Sequence, residues 1–277
     1  MMLVMSKAAQ VHPYDPRHAL VNPTEFYQGA FQNYPRPAVV GVVGRVIMAL
    51  TRPEVSFHGG VSEAQYFSEL DPAMPLLVTY THRGEKRLHD AGAGAAAIFG
   101  VKSLKKRIEH TRVWAAAPYM TDSKTGVLIK SLGGVPVIRS RDYGKFGLTI
   151  VEDDLALPNT FTPEEKQAVT DALITESTEH LQIPGSILAA FPAGTKGGTE
   201  LRDGVGQVME RLEYAAALPV ALVSDSEETS NIPKNLRIAF GEPVPVESGL
   251  LSAQYMLSIG HNLDVAVISV GGQLATS

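Results

Sequence analysis

Three short segments carry residue types whose spacing could do chemistry. The first follows the apolar run LLVTY at 76–80: His82, then Glu85 three residues on and Asp90 eight on. A histidine with a nearby carboxylate is the minimum set for activating a hydroxyl by general-base catalysis. The carboxylate orients the ring and stabilises the imidazolium that forms. The same stretch, THRGEKRLHD, also reads as an ordinary solvated loop. The second segment, FPAGTKGG at 191–198, overlaps the end of the apolar run SILAAF. Small residues let backbone N–H groups approach an anion closely, and Lys196 adds a full positive charge, so a phosphate site and a plain glycine-rich turn are both open readings. The third, LGGVPVIR at 132–139, ends a short apolar run on Arg139, whose guanidinium suits bidentate contact with phosphate or a surface salt bridge.

Other chemistries find less support. With no cysteine in 277 residues there is no thiolate nucleophile, no thiolate zinc site and no disulfide scaffold. Gly144-Lys145 is followed by Phe146, so there is no P-loop hydroxyl for a metal, and neither a His-Glu-x-x-His nor a Gly-x-Ser-x-Gly pattern occurs. Gly92-Ala-Gly94-Ala-Ala-Ala97 matches a loose dinucleotide pattern, but the mostly polar stretch 81–91 separates it from the strand, where a true fingerprint turns directly. Small-residue helix packing is the better reading. A formal net charge of -5 argues against a general nucleic-acid binder, which needs a basic surface.

These segments must be held by a frame, and the frame reads as α/β. Strands are expected at 54–58, 76–80, 112–117, 135–139, 186–191, 218–223 and 236–240. Helices are expected within 24–50, and at 91–100, 125–132, 162–180, 204–216 and 248–260. Thr162-Pro-Glu-Glu is a capping signature with Pro at the first helical position. Alternation of strands with helices implies a largely parallel central sheet flanked by helices in a single domain. The division expected is an irregular and helical segment at 1–50, with residues 1–35 irregular, followed by an α/β domain at 51–277. Residues 140–162 read as a loop. AVVGVVGRVIMAL at 38–50 is too short to span a bilayer and reads either as a packing helix or as one lying on lipid. The opening MMLVMSKAAQ has no basic region ahead of an apolar stretch of secretory length.

Taken in order, the segments resemble the four sequence blocks of the glycerolipid acyltransferase family, whose members include 1-acylglycerol-3-phosphate O-acyltransferases. LLVTYTH resembles the first block, a strand ending in His; LGGVPVIR the second; FPAGTK the third; and ALPVALV at 217–223 the fourth. VSFHGG at 55–60 and Phe240-Gly-Glu-Pro resemble flanking elements, so the likeness spans roughly 40 to 245.

The resemblance implies an O-acyltransferase moving a fatty acyl group from acyl-CoA or acyl-carrier protein to a hydroxyl of a glycerol-phosphate or lysophospholipid acceptor. His82 would be the base and Asp90 its orienting carboxylate, with Glu85 a second candidate. Arg139, Gly194, Thr195 and Lys196 would hold the acceptor phosphate. It implies no bound cofactor, no metal and no nucleic acid, and a cytoplasmic protein peripheral on the inner face of a membrane. Lys102, Lys105, Lys106 and Arg107 would add attraction to anionic lipid, or form a solvated helix face. The chain departs from the family pattern at Arg87, where the family has Asp five residues after the histidine, at Ala193 for Glu, at Lys196 for Arg, and in VWAAAPY, which offers no lysine. Two alternatives follow: a catalytically inactive lipid- or acyl-binding module on the same fold, and an acyltransferase whose acceptor lacks phosphate.

Overall fold

Short runs of Val, Leu, Ile and Ala build the sheet, and their apolarity on both faces reflects cover on both sides. In the computed structural model, residues 16–33, 37–81, 87–121, 125–138, 162–192, 203–224 and 235–272 are described. Among them the strands are β1 (Glu54–Phe57), β2 (Leu76–Tyr80), β3 (Thr111–Ala116), β4 (Gly134–Val137), β5 (Ile187–Ala190), β6 (Ala216–Val223), β7 (Arg237–Phe240) and β8 (Val244–Pro245). The helices are α1 (Pro16–Val21), α2 (Pro23–Gln32), α3 (Pro37–Thr51), α4 (Glu63–Ser68), α5 (Arg87–Gly100), α6 (Lys102–Lys105), α7 (Ala117–Thr121), α8 (Thr125–Ser131), α9 (Pro163–His180), α10 (Gly204–Glu210) and α11 (Ser252–Ser269).

The sheet order is β1-β7-β6-β2-β5-β3-β4, with β8 beside β6. β6, β2, β5, β3 and β4 run parallel, while β7 and β8 run antiparallel to β6. The α/β class with a mostly parallel sheet is therefore the architecture of the chain.

Alternation along each strand sorts side chains to two cores. Leu76, Val78, Tyr80, Ile187, Ala189, Leu218 and Val220 face the side covered by α3 and α5. Leu77, Leu188, Ala190 and Ala217 face the side of α2, α9, α10 and α11. The alanine run in α5 is buried nearly all round, with Ala93, Ala96 and Ala97 at most 1% exposed. It is a packing helix, and its glycines lie inside the helix rather than in a phosphate turn. Thr162 caps α9 with the reciprocal Glu165 bond of a capping box, as its sequence signature predicts.

Three expectations need correction. Pro16–Val21 is helical rather than irregular, while α2 falls where a helix was expected within 24–50: Asn22 caps α2 by accepting from the Glu25 N–H, and Phe26, Tyr27, Ala30 and Phe31 are buried in the main core. The helix expected at 204–216 stops at Glu210, because Ala215 and Ala216 are drawn into the sheet beside Val246 and Pro245. The last helix runs to Ser269 rather than 260, since Leu263, Ala266 and Val267 continue its buried face.

A buried polar knot holds α2 to the sheet at its N-terminal edge. Arg112, fully buried on β3, donates from Nε to the Phe31 carbonyl at 2.9 Å and from Nη1 to the Thr111 carbonyl at 3.1 Å; its Nη2 also donates to Phe31. The His180 ring lies 5.6 Å from the Phe31 ring, with Nε2 3.1 Å from the Ile187 carbonyl oxygen. Burial, with the Arg112 charge nearby, pushes the His180 pKa from 6.5 down to about 4, although its bond to the Ile187 carbonyl pulls the other way. The fold thus favours neutral His180. Its contribution is complete above the unfolded value and is lost as pH falls from 6.5 toward 4, because the unfolded chain then binds the extra proton. Urea unfolding between pH 7 and 4 is expected to lose about 3 kcal/mol of stability from this group. His180→Gln, less stable at pH 7, is expected to flatten that slope; an unchanged slope would assign it to other groups.

Candidate active site

Parallel strands carry their chain exits to a single edge, and the segments singled out above follow such exits. β2 and β5 are neighbours with Thr79 level with Ala190, so the chain leaves them side by side at Thr81 and Phe191. β4 lies two strands from β5, roughly 10 Å by strand spacing, and ends at Val137 on the same edge. His82, Glu85, Arg139, Gly194, Thr195 and Lys196 lie outside the described residues, as do 139–161, which contain most of the expected loop at 140–162. Asp90 belongs to α5, which starts at Arg87.

The residue before His82 is firmly tied. The Thr81 N–H donates to the Val220 carbonyl at 3.1 Å, and Thr81 Oγ1 accepts from the Leu222 N–H at 2.8 Å. These bonds continue the β2–β6 ladder one residue past the strand, and a side chain completes it where the backbone pairing ends.

The same edge holds an aromatic pair that spans the two chain exits. The rings of Tyr80 and Phe191 lie 5.0 Å apart, centroid to centroid, tilted by 36°. The Tyr80 hydroxyl donates to the Gly94 carbonyl in α5 at 3.0 Å. Burial drives the Tyr80 pKa far upward, so this phenol stays protonated and is no base. Gly94 is small for a steric reason: a Cβ there would sit 3.2 Å from Phe191 Cζ and 3.3 Å from Tyr80 Cε2. Position 90 lies four residues before Gly94 in the same helix, on the same face one turn nearer the N-terminus. Gly94 itself meets the ends of β2 and β5.

On the opposite side of the sheet at this edge, the Trp114 indole N–H donates to Ser177 Oγ at 3.1 Å. The Trp114 ring also packs against Gly204, the first residue of α10. No group of metal-ligating side chains occurs among the described residues.

Sequence reasoning passed over Tyr80, Thr81 and Gly94. Tyr80 and Thr81 close an apolar run and look like its continuation, and Gly94 looks like one small residue among many. The available signal was the Thr-Tyr-Thr ending of the run, polar groups entering a sheet edge where each needs a partner.

No model of a known protein family matches the chain, and no curated protein matches it. Among solved structures, a similar chain is the crystal structure of the 1-acyl-sn-glycerophosphate (LPA) acyltransferase, PlsC, from Thermotoga maritima. It superposes with a TM-score of 0.49 at 13% sequence identity, covering 91% of this chain and 84% of that one.

Proposed function

We propose that this protein is an O-acyltransferase that moves a fatty acyl group from acyl-CoA or acyl-carrier protein to a hydroxyl of a glycerol-phosphate or lysophospholipid acceptor. One observation carries the reading. The sheet order β2-β5-β3-β4 carries the chain exits at Thr81, Phe191 and Ile138 to one edge, and Gly94, one helical turn after position 90 in α5, packs against Tyr80 and Phe191 there, which supports the reading. Ordered sequence blocks alone would not require this convergence; a parallel sheet in this order supplies it.

In the reaction, His82 takes the proton of the acceptor hydroxyl, with Asp90 orienting the imidazole and stabilising its charge. The acceptor oxygen attacks the thioester carbonyl, the tetrahedral intermediate collapses, and the C–S bond breaks. The proton held by the imidazolium passes to the departing thiolate, so ester and thiol are the products. No covalent acyl-enzyme is invoked. Backbone N–H groups at Gly194 and Thr195, with Lys196 and Arg139, hold the acceptor's phosphate dianion.

Docking on a lipid surface completes the proposal. α3 turns Val40 and Ile47 inward and exposes Val39, Val42, Val46 and Leu50 at helical spacing, the last three more than half exposed. No helix among the described residues is long and apolar enough to cross a membrane. An apolar face on a helix of that length suits one lying in the interface plane. Lys102, Lys105 and Lys106 are exposed near its C-terminal end, where Met48 meets Gly100.

The test is thiol release from acyl-CoAs of several chain lengths, with glycerol 3-phosphate or lysophosphatidate presented in vesicles. Release that depends on both acceptor and enzyme is the expected result. No release above background from any donor and acceptor pair would overturn it and favour the inactive lipid-binding module, which Arg87 and Ala193 already suggest. Release with a phosphate-free alcohol alone would keep acyl transfer and remove the phosphate from the acceptor.

A further inference from the structure

We infer that Tyr80, Gly94 and Phe191 form a positioning clasp that sets the distance between the His82 exit and position 90, an inference that rests on the His82–Asp90 reading above. None of the three need touch substrate. Tyr80 is two residues before His82, Phe191 is three before Gly194, and Gly94 is one helical turn after Asp90. The three residues come from β2, α5 and the exit of β5, and they meet in one contact in which Tyr80 and Gly94 are buried and Phe191 partly so.

The geometry gives each a distinct part. The Tyr80 hydroxyl reaches 3.0 Å to the Gly94 carbonyl, so β2 grips the first turns of α5 by a directed bond as well as by apolar contact. Phe191 lies against the Tyr80 ring and against Gly94, so the exit of β5 is packed onto the same point. Gly94 permits the approach; a Cβ at 3.2–3.3 Å from both rings would require the rings or the helix to give by a few tenths of an ångström. A purely apolar contact here would let the helix slide along the sheet, and a base paired with a carboxylate is sensitive to displacements of that size.

The test compares Tyr80→Phe and Gly94→Ala with the wild type, using three readouts. The first is the far-UV circular dichroism melt, to establish folding. The second is kcat and KM for acyl-CoA. The third is the NMR titration of the His82 ring, assigned by the signal lost in His82→Gln, with Asp90→Asn as the reference for a broken pair. Tyr80→Phe is expected to fold, to lower kcat by about tenfold or more with KM nearly unchanged, and to move the His82 titration in the direction that Asp90→Asn moves it. Gly94→Ala is expected to do the same through displacement of the rings or the helix. Folded variants with unchanged kcat and an unmoved His82 titration would overturn the clasp. Wild type without acyl transfer, but with a His82 titration that responds to both Tyr80→Phe and Asp90→Asn, would sink the enzymatic reading and keep the clasp.

Discussion

His82→Ala is expected to lower kcat for acceptor-dependent thiol release by about 10³-fold, with the melting temperature unchanged. The size follows from the role. An unactivated hydroxyl is a poor nucleophile toward a thioester, and a positioned general base contributes about 10²–10⁴ to such a step. KM for acyl-CoA is expected to stay within a small factor, because the base acts on the acceptor and only as the proton moves. Asp90→Asn keeps the shape of the orienting group and removes its charge, so a smaller loss of about 10²-fold is expected. Glu85→Gln separates the two carboxylates. If α5 sets the pair through the face of position 90, Glu85→Gln is nearly silent, and a reversed pattern would transfer the orienting role to Glu85. Full activity in His82→Ala would end the proposed chemistry, whatever the acceptor.

The parts of the fold that were legible share a physical cause. β2, β5 and β6 lie between two helical layers, so every position must be apolar or small, and LLVTY, SILAAF and ALPVALV read as strands without ambiguity. α9 was legible because its capping box is local: four residues fix its start irrespective of the rest of the chain. The boundary between α10 and β6 was not, since EYAAALPVALV has no punctuation between helix and strand. Pairing of Ala216 and Ala217 with β2 on one side and β8 on the other decides it, and both partners are distant in sequence. Helix α1 and the start of α2 were obscured by Pro, Asn and Tyr, which favour irregular chain unless a core accepts them. Here Pro23 opens a helix and Tyr27 is buried against the sheet.

The site divides along the same line. The edge to which the three segments lead was legible, because motif order combined with a parallel sheet already implies one shared edge. Which carboxylate the proposed base would use was not. In THRGEKRLHD the spacing of Glu85 and Asp90 from His82 says nothing about direction until the start of the helix is known. With α5 beginning at Arg87, position 90 gains a face and shares it with Gly94. Arg112 shows the same limit from another side. It resembles any strand-end arginine in sequence, yet it is fully buried and its donors go to the Phe31 and Thr111 carbonyls, a role that only the docking of α2 creates.

Gly133→Ala is expected to cost about 3 kcal/mol or more, with a melting temperature lower by roughly 10 °C. Two effects add at this residue. Its φ is +79°, the left-handed region where a side chain costs roughly 1–2 kcal/mol. A Cβ there would also stand 2.5 Å from the Thr111 carbonyl oxygen, a backbone atom with no freedom to swing aside, and 3.3 Å from Arg112 Nη1. Relief requires parting β3 from the turn that feeds β4, including the Val113 N–H bond to the Gly133 carbonyl at 3.0 Å. Thr111 also receives Arg112 Nη1, so the displacement reaches the knot that docks α2. Gly29→Ala serves as the opposite case. Gly29 lies within α2 at ordinary helical φ with nothing within 4 Å of a built Cβ, so the same change there is expected to stabilise by about 0.5–1 kcal/mol. Urea unfolding of both variants decides the matter: a Gly133→Ala protein as stable as wild type would mean that β3 and β4 are not packed at this turn as described. Because β4 ends two residues before Arg139, the folded fraction of Gly133→Ala is also expected to show a raised KM for a phosphate-bearing acceptor and an unchanged KM for acyl-CoA.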